Sequence, residues 1–396
     1  MKQMLIWIGA LIVGAILGLL EIGWLDEVMN FVATVYSRLF QLLAVPTIVL
    51  AVTTTLATLG KGQGAGRIFG RALTYTLLTT FVAAAVGLVL YVVIAPGNLP
   101  AASIPSAEAG IQTPDATYTD HLLSVIPNNI VRPFLEGNVL SLLLLAAAVG
   151  LALSRMAESA QKTTVLNFLL GLQELLFTLI RGLIWTLPVG IVAFAAQLSA
   201  QLTAGVVVDS LGKYVAVILG GNLLQFFVVL PLFLLLRGLN PIRTLSKMMP
   251  AVLMALFTKS SAATLPVTMD TAEQRLGIQS KIARFVLPIC TTINMNGCAA
   301  FILVTSLFVM QQGGITLTWT TMVSWLFIAV ISAIGNAGVP MGCYFLTLSL
   351  MSGIGAPVAV LGIILPIYTI IDMVETAVNV WSDSCVATMV DHDLNA

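Results

Sequence analysis

The sequence predicts an all-α polytopic membrane protein with eight transmembrane helices and two re-entrant helical hairpins. Three observations carry that expectation. Of 396 residues, 59% are hydrophobic and only 9% charged, against about 25% charged in ordinary soluble domains. No Asp, Glu, Lys or Arg occurs between Phe285 and Ile371, a tract too long for a soluble core and natural in lipid. Eight apolar segments are long enough to span a bilayer, near residues 3–20, 28–59, 68–95, 138–154, 164–200, 211–236, 281–311 and 357–390.

The first of these, with one Lys and an apolar run, has the look of a signal peptide. No small-x-small cleavage site stands clearly at its end, so a retained first helix is expected. Several later segments exceed the roughly 20 residues a straight crossing needs, which implies tilt, interfacial extension or a break. Two further stretches, 241–276 and 315–356, are apolar but interrupted. The first carries Lys259-Ser260-Ser261-Ala262-Ala263-Thr264-Leu265-Pro266, the second Gly335-Asn336-Ala337-Gly338-Val339-Pro340-Met341-Gly342. Pro and Gly end helices and free backbone groups, so each stretch reads as two half-helices meeting at a tip. The pair hints at an inverted repeat of the kind secondary transporters use.

Basic residues orient the chain. Lys2, Lys61, Arg67, Arg71, Arg155, Lys162, Arg237, Arg243, Lys247, Arg275, Lys281 and Arg284 mark one side, while the connections near 21–27, 96–120 and 312–322 carry no Lys or Arg. The positive-inside rule places the basic side, and both termini, in the cytoplasm of a bacterial inner (plasma) membrane. A net charge of +0 offers no field for nucleic acid. Cys290, Cys298, Cys343 and Cys385 lack C-x-x-C spacing and lie far from His121 and His392, which argues against a structural zinc site or a disulfide framework. No nucleophile–base set supports an enzyme.

Chemistry concentrates in the C-terminal half. Asp372, Thr376, Asn379 and Asp383 are spaced four, three and four apart, within about 60° of one another on a helix, with Glu375 flanking them. Ionisable groups cost about 2.5–3.5 kcal/mol each on insertion scales, so such a seam is a functional-site hypothesis by default. The hydroxyls and freed amides at Ser260 and Ser261 suit a carboxylate at a half-helix N-terminus. Thr291-Thr292-Ile293-Asn294-Met295-Asn296-Gly297-Cys298 lets a helix unwind and turn carbonyl oxygens toward a hard cation. Thr76, Thr79 and Thr80 form a further, minor cluster, open to the plainer reading that they bond back to their own helix.

These residues together resemble the dicarboxylate/amino acid:cation symporters, the family of the glutamate transporters, over essentially the whole chain. Thr258–Pro266 is similar to the serine-rich first hairpin, and Asn294-Met295-Asn296-Gly297 to an Asn-Met-Asp-Gly motif. Gly338-Val339-Pro340 resembles the second hairpin tip, and the Asp372–Asp383 pattern the last helix. The resemblance implies a homotrimer in lipid and an elevator movement of a transport domain against a scaffold. Residues 1–66 and 98–205 are expected to be scaffold; residues 67–97 and 206–396 are expected to be transport domain. It implies that Asp372 takes a substrate ammonium and Asn379 the α-carboxylate. Ser260 and Ser261 would complete the carboxylate site, with Cys298, Val339, Gly342, Glu375 and Thr376 lining the same pocket. A sodium site would use Asp383, Asn379 and the carbonyls of Cys290 and Asn294, and a second would lie between Thr292 and the second hairpin tip.

Departures from the family pattern shape the expected substrate. Members that carry acidic amino acids hold the side-chain carboxylate with an Arg where this chain has Glu375, and a Glu repels it unless protonated. Asp-x-x-Glu-Thr-Ala-x-Asn instead resembles the sodium-coupled serine/threonine branch, and Cys298 suits a short neutral side chain. Asn296 stands for the motif's Asp, which argues for one or two Na+ ions, not three, and puts a third site with Thr79 and Thr80 in doubt. Met341 replaces a usual Gly, implying a stiffer gate. The expected function is sodium-coupled import of small neutral amino acids. The alternatives are a cationic substrate or proton coupling through Glu375 and, from another class, a ligand-gated channel. Lys259 could also neutralise Glu375 as a structural ion pair.

Overall fold

The computed structural model describes residues 2–20, 22–58, 65–99, 126–136, 139–202, 206–336 and 341–395, and no strand occurs among them. In order the helices are α1 (Lys2–Gly18), α2 (Gly23–Thr58), α3 (Ala65–Ile94), α4 (Arg132–Glu136), α5 (Val139–Arg155) and α6 (Ala160–Leu202). There follow α7 (Val206–Leu224), α8 (Leu230–Leu236), α9 (Pro241–Thr258), α10 (Ser261–Thr271) and α11 (Ser280–Ile293). The last are α12 (Asn296–Gln312), α13 (Trp319–Ala333), α14 (Gly342–Gly353) and α15 (Ala359–Asn395).

Each apolar segment of the sequence overlaps a helix. Among the described residues three rods are long and apolar enough by themselves to cross a membrane, at Arg67–Ile94, Asp209–Leu236 and Ser280–Gln312. A fourth joins them if Ala359–Leu365 and Ile367–Leu394, bent by 71°, count as one. Pro366 lies at that bend and supplies no N–H to the ladder. The outward faces are apolar: Phe31, Val93, Trp185, Leu236 and Ile242 are all exposed, a surface that water disfavours and lipid accepts.

Both interrupted stretches fold as helix, break, helix. Asn240 caps α9 by accepting from the Arg243 amide at 3.0 Å, with Pro241 at the first helical position, where its missing N–H is no loss. The chain breaks at Lys259 (φ 55°) and restarts when Ser260 caps α10, accepting from the Ala263 amide at 3.2 Å. Thr318 caps α13 in the same way at 3.1 Å. That helix ends in a 3-10 turn, Ile334–Asn336, and α14 resumes after Met341. Positions 337–340, which hold most of the expected second tip, lie outside the described residues, as does the connection 96–120 beyond Leu99.

Helix α1 packs along α6, and α2 packs along α5 and α6, while α3, α7 and the elements from α9 to α15 pack mainly on one another. Small residues govern the first contact. Gly14 and Gly18 sit one turn apart on α1, where an added Cβ would collide with the carbonyls of Val192 and Ala196 on α6. Apolar helices gain little from hydrophobicity inside lipid, so such backbone approach is what holds them. At one end of the molecule Arg71 and Arg237 converge on Asp393 (2.6 and 3.5 Å), and Arg284 forks onto Glu273 (2.8 and 3.1 Å). The start of α3, the end of α8 and the end of α15 therefore share a side.

Gly18→Ala should cost about 1–3 kcal/mol through overpacking, read as a lower unfolding temperature in detergent. Gly9→Ala, whose new methyl meets nothing within 4 Å, should leave that temperature unchanged. Equal behaviour of the two variants would remove the close approach of α1 and α6 as a stabilising contact.

Candidate functional site

Helix α15 buries its polar seam completely. Asp372, Glu375, Thr376, Asn379 and Asp383 are between 1% and 5% exposed. A regular helix satisfies its own backbone; within α15 Tyr368 serves Asp372 and Glu375, and further partners come from the places where neighbouring helices stop.

The first break separates α11 from α12. Asn294 (φ −96°, ψ 72°) and Met295 (φ −109°, ψ 67°) leave the helical region, where the sequence placed an unwound cation-binding segment. Asn294 Nδ2 donates to Asp383 Oδ1 (2.9 Å) and Ser382 Oγ (3.0 Å). The Gly297 amide donates to Asn379 Oδ1 (2.9 Å), and Asn379 Nδ2 reaches Cys298 Sγ (3.3 Å). Only glycine fits at 297, because a Cβ there would lie 2.8 Å from Glu375 Cα and from Asn222 Oδ1. The Cys290 carbonyl accepts from the Asn294 amide (2.8 Å), and the Thr292 hydroxyl turns back to Ile289 O (2.8 Å).

Behind the break lies an amide cluster. Asn296 Nδ2 donates to Asn294 Oδ1 (2.8 Å) and points at the Thr79 and Thr80 hydroxyls (3.4 Å each). Gln225 Nε2 donates to Asn296 Oδ1 (2.6 Å) and Thr79 O (3.2 Å). Gln225 opens a π turn, Gln225–Val229, the kind of helical bulge that re-aims a side chain. N–H groups thus fill the corner between Asn294, Thr79 and Thr80.

The two hairpin breaks close the other side. Ser260 and Ser261 are buried at the N-terminus of α10, and Thr258 pairs with Thr264 across that tip (3.0 Å). The Lys259 ammonium interacts electrostatically with Asp372. From the second hairpin, the Met341 amide donates to Asp372 Oδ2 (3.2 Å) with Met341 itself at φ 61°. Gly342 is required there, since a Cβ would collide with Asn336 Oδ1. Val339 lies outside the described residues.

Sequence reasoning passed over four participants. Tyr368 donates toward Asp372 Oδ1 (3.4 Å) and Glu375 Oε2 (3.3 Å), and its place four and seven residues before them was readable as the same stripe. Gln225 and Asn222 were visible only as amides in an apolar helix. Asn336 Nδ2 donates to Cys298 Sγ (3.0 Å) and Cys343 Sγ (3.3 Å). Those two cysteines are disulfide-bonded, with their Cα atoms 5.5 Å apart and a sequence separation of 45. The expectation that the cysteines form no pair is therefore corrected: spacing along the chain says nothing about a contact made by a break and a re-entrant tip.

The donor set at Asp383, Asn379 and the freed carbonyls is oxygen only, which suits a hard cation. The sodium:dicarboxylate symporter family matches residues 3–393, nearly the whole chain. The chain belongs to that family. It is a family of membrane transporters, not of enzymes. Among its relatives, neutral amino acid transporter B(0) of Oryctolagus cuniculus is 30% identical over 90% of this chain and 72% of the relative. Neutral amino acid transporter A of Homo sapiens is 29% identical over 90% and 74%. Excitatory amino acid transporter 3 of Mus musculus is 28% identical over 95% and 82%.

Asn296→Asp removes the amide donors and leaves a buried carboxylate facing Gln225, Thr79, Thr80 and Asn294. Uncompensated, that costs about 3–5 kcal/mol, so the unfolding temperature should fall in choline buffer. Sodium should restore it by a larger margin than sodium raises the wild type. A variant equally stable in both buffers would show that these amides do not stand in a cation's place.

Proposed function

We propose that this protein is a sodium-coupled importer of small neutral amino acids, with serine and threonine the leading substrates. The observation that carries the reading is Glu375, 1% exposed and packed beside Cys298 and Tyr368 at the position where carriers of acidic substrates resemble one another in holding an Arg. An anionic side chain would meet a carboxylate there, while a hydroxyl can donate to it. The names of the relatives support an amino-acid substrate, since both neutral and excitatory amino acid transporters stand among them.

On this reading the substrate ammonium docks on Asp372 in exchange for Lys259. The α-carboxylate faces Ser260, Ser261 and the N-terminus of α10, where amides and the helix dipole favour negative charge. Asn379 orients it, and the side chain points toward Cys298, Thr376 and Glu375. One sodium ion sits with Asp383, Asn379 and the carbonyls of Cys290 and Asn294, and a second between Thr292 and the second hairpin. The amide cluster at Asn296 serves in place of a third. The chain works as a homotrimer in the plasma membrane, with α3 and the elements from α7 onward moving as a transport unit against the rest. The basic end at Arg71, Arg237 and Asp393 is cytoplasmic.

A cationic substrate is the second reading, favoured by one fact: among the described residues Glu375 Oε1 has no hydrogen-bond partner. The two part on Glu375→Gln. With a neutral substrate the change should keep serine affinity within about tenfold, the order of one hydrogen bond to a charged group. With a cationic one it should cost about 3–5 kcal/mol. Calorimetry of the wild type against serine, threonine, alanine, aspartate, arginine and lysine, with and without sodium, decides. Binding of arginine or lysine but not serine would sink the neutral reading.

Asp372→Asn should abolish binding of every amino acid, because the ammonium loses its formal counter-charge in a dry site. Affinity retained within about threefold would take Asp372 out of that role. Asp383→Asn should flatten the sodium dependence of serine affinity and, by reciprocity, the serine dependence of sodium affinity. Undiminished sodium activation would place the ion elsewhere.

A further inference from the structure

Two cations at the basic end of the molecule line a cavity and lack the carboxylate that their neighbours have. The cavity, about 650 Å3, is walled by the turn between α8 and α9, the first turns of α9, the segment after α10 and the end of α15. Its size falls within the roughly 300–1,000 Å3 of small-molecule sites. Arg243 and Lys247 line it from α9 and His392 from α15, with Asp391 as the lining carboxylate. Asp391 accepts from the Gln279 amide (3.1 Å). At the same end Arg71 and Arg237 share Asp393, and Arg284 has Glu273. Among the described residues no carboxylate pairs with Arg243 or Lys247.

Their place on the helix makes that lack costly. Arg243 and Lys247 stand one turn apart in the first two turns of α9, where like charges repel and the helix dipole is itself positive. No acidic residue stands in the first turn to offset them. We propose that this cavity binds a phosphate-bearing anion between Arg243 and Lys247. A guanidinium forks onto phosphate through parallel N–H bonds, and an ammonium adds a point charge beside it. The start of α9 contributes potential rather than amides. The Asn240 side chain takes the Arg243 amide (3.0 Å), the Asn240 carbonyl takes the Thr244 amide (3.1 Å), and Pro241 has none to give. Recognition therefore falls on the two side chains and not on a bare helix end.

The favoured source of the phosphate is a lipid headgroup. Leu235, Leu236 and Ile242 flank the turn that walls the cavity, and all three are exposed, so acyl chains can lie on them while the headgroup turns inward. On the orientation proposed above, this end meets the cytoplasmic leaflet, whose anionic lipids attract basic pockets. A free phosphate would use the same two cations without touching that apolar rim. Arg275 and Lys281 are exposed cations that flank the segment after α10 but do not line the cavity. They serve as the internal control for surface charge in general.

The test uses the full-length protein, freed of lipid in an uncharged detergent. Phosphatidylglycerol and zwitterionic phosphatidylcholine are added separately, and inorganic phosphate is compared with chloride at matched ionic strength. Bound lipid is counted by native mass spectrometry, and affinity is read from the rise in unfolding temperature. Phosphatidylglycerol should bind the wild type and the Arg275→Gln/Lys281→Gln variant alike, in preference to phosphatidylcholine. It should bind Arg243→Gln/Lys247→Gln at least about tenfold more weakly, the order of one hydrogen bond to a charged group. If that variant fails to fold, the single change Arg243→Gln, at an exposed residue, decides. Inorganic phosphate that stabilises the wild type but not Arg243→Gln/Lys247→Gln, with no preference between the lipids, would uphold the site and overturn the lipid as its source. Equal losses in the two double variants would reduce the effect to general surface charge and overturn the cavity as a site. Failure of the wild type to bind either phosphatidylglycerol or phosphate would overturn it as well. No amino acid or sodium gradient is involved, so the result stands apart from the choice of transported substrate.

Discussion

Three carboxylates on one face of a single apolar helix have to be met by donors that an intact helix cannot spare. Asp372, Glu375 and Asp383 are almost wholly removed from solvent, and each would cost several kcal/mol if left alone. The remedy is backbone discontinuity. Helices that pass α15 are interrupted at Lys259–Ser260, at Asn294–Met295 and after Asn336, and each interruption faces the seam. Irregular backbone at membrane depth is tolerated only where protein or a polar cavity covers it, so the breaks and the buried charges depend on each other.

That dependence tightens the packing at specific points. Gly297 permits α12 to lie against Glu375, and Gly342 permits α14 to start beneath Asn336. Met341 is a different case: its φ of 61° belongs to the left-handed region that costs a non-glycine residue about 1–2 kcal/mol. The same residue gives its amide to Asp372. A strained backbone held in place by a bond to a buried carboxylate couples the hairpin's position to what Asp372 is bonded to. On the proposed reading, an arriving ammonium and the Met341 amide address the same carboxyl group, which gives the hairpin a reason to respond to substrate.

Much of this was legible because lipid simplifies the code. With water absent, an acidic stripe at helical spacing has few meanings, and Gly-Pro or Ser-rich interruptions in apolar runs point to tips. The seam from Asp372 to Asp383 and the break at Asn294 follow from such rules. What stayed hidden depends on contacts between elements distant in sequence. Cys298 and Cys343 meet only because a broken helix and a re-entrant tip converge. Gln225 reaches Asn296 only because a π turn redirects it. Tyr368 is the instructive omission, since its spacing from Asp372 and Glu375 was in plain view. An aromatic residue in an apolar run reads as packing until its hydroxyl is placed between two carboxylates.

The amide cluster shows how charge and geometry can be traded. Where the family motif has an Asp, Asn296 occupies the same corner and forms donor contacts to Asn294, Thr79 and Thr80, while Gln225 donates to it in turn. The corner is filled by neutral groups, although Gln225 Oε1 has no hydrogen-bond partner among the described residues. Asp383 is left in the opposite condition, a buried carboxylate with Asn294 as its hydrogen-bonding side chain and unwound backbone nearby. A single protein therefore places an uncharged polar cluster and a charged one on either side of the same two-residue break. On the proposed reading the cation is drawn to the charged one, so the coupling of ion to solute concentrates at Asp383, where the helix break and the seam meet.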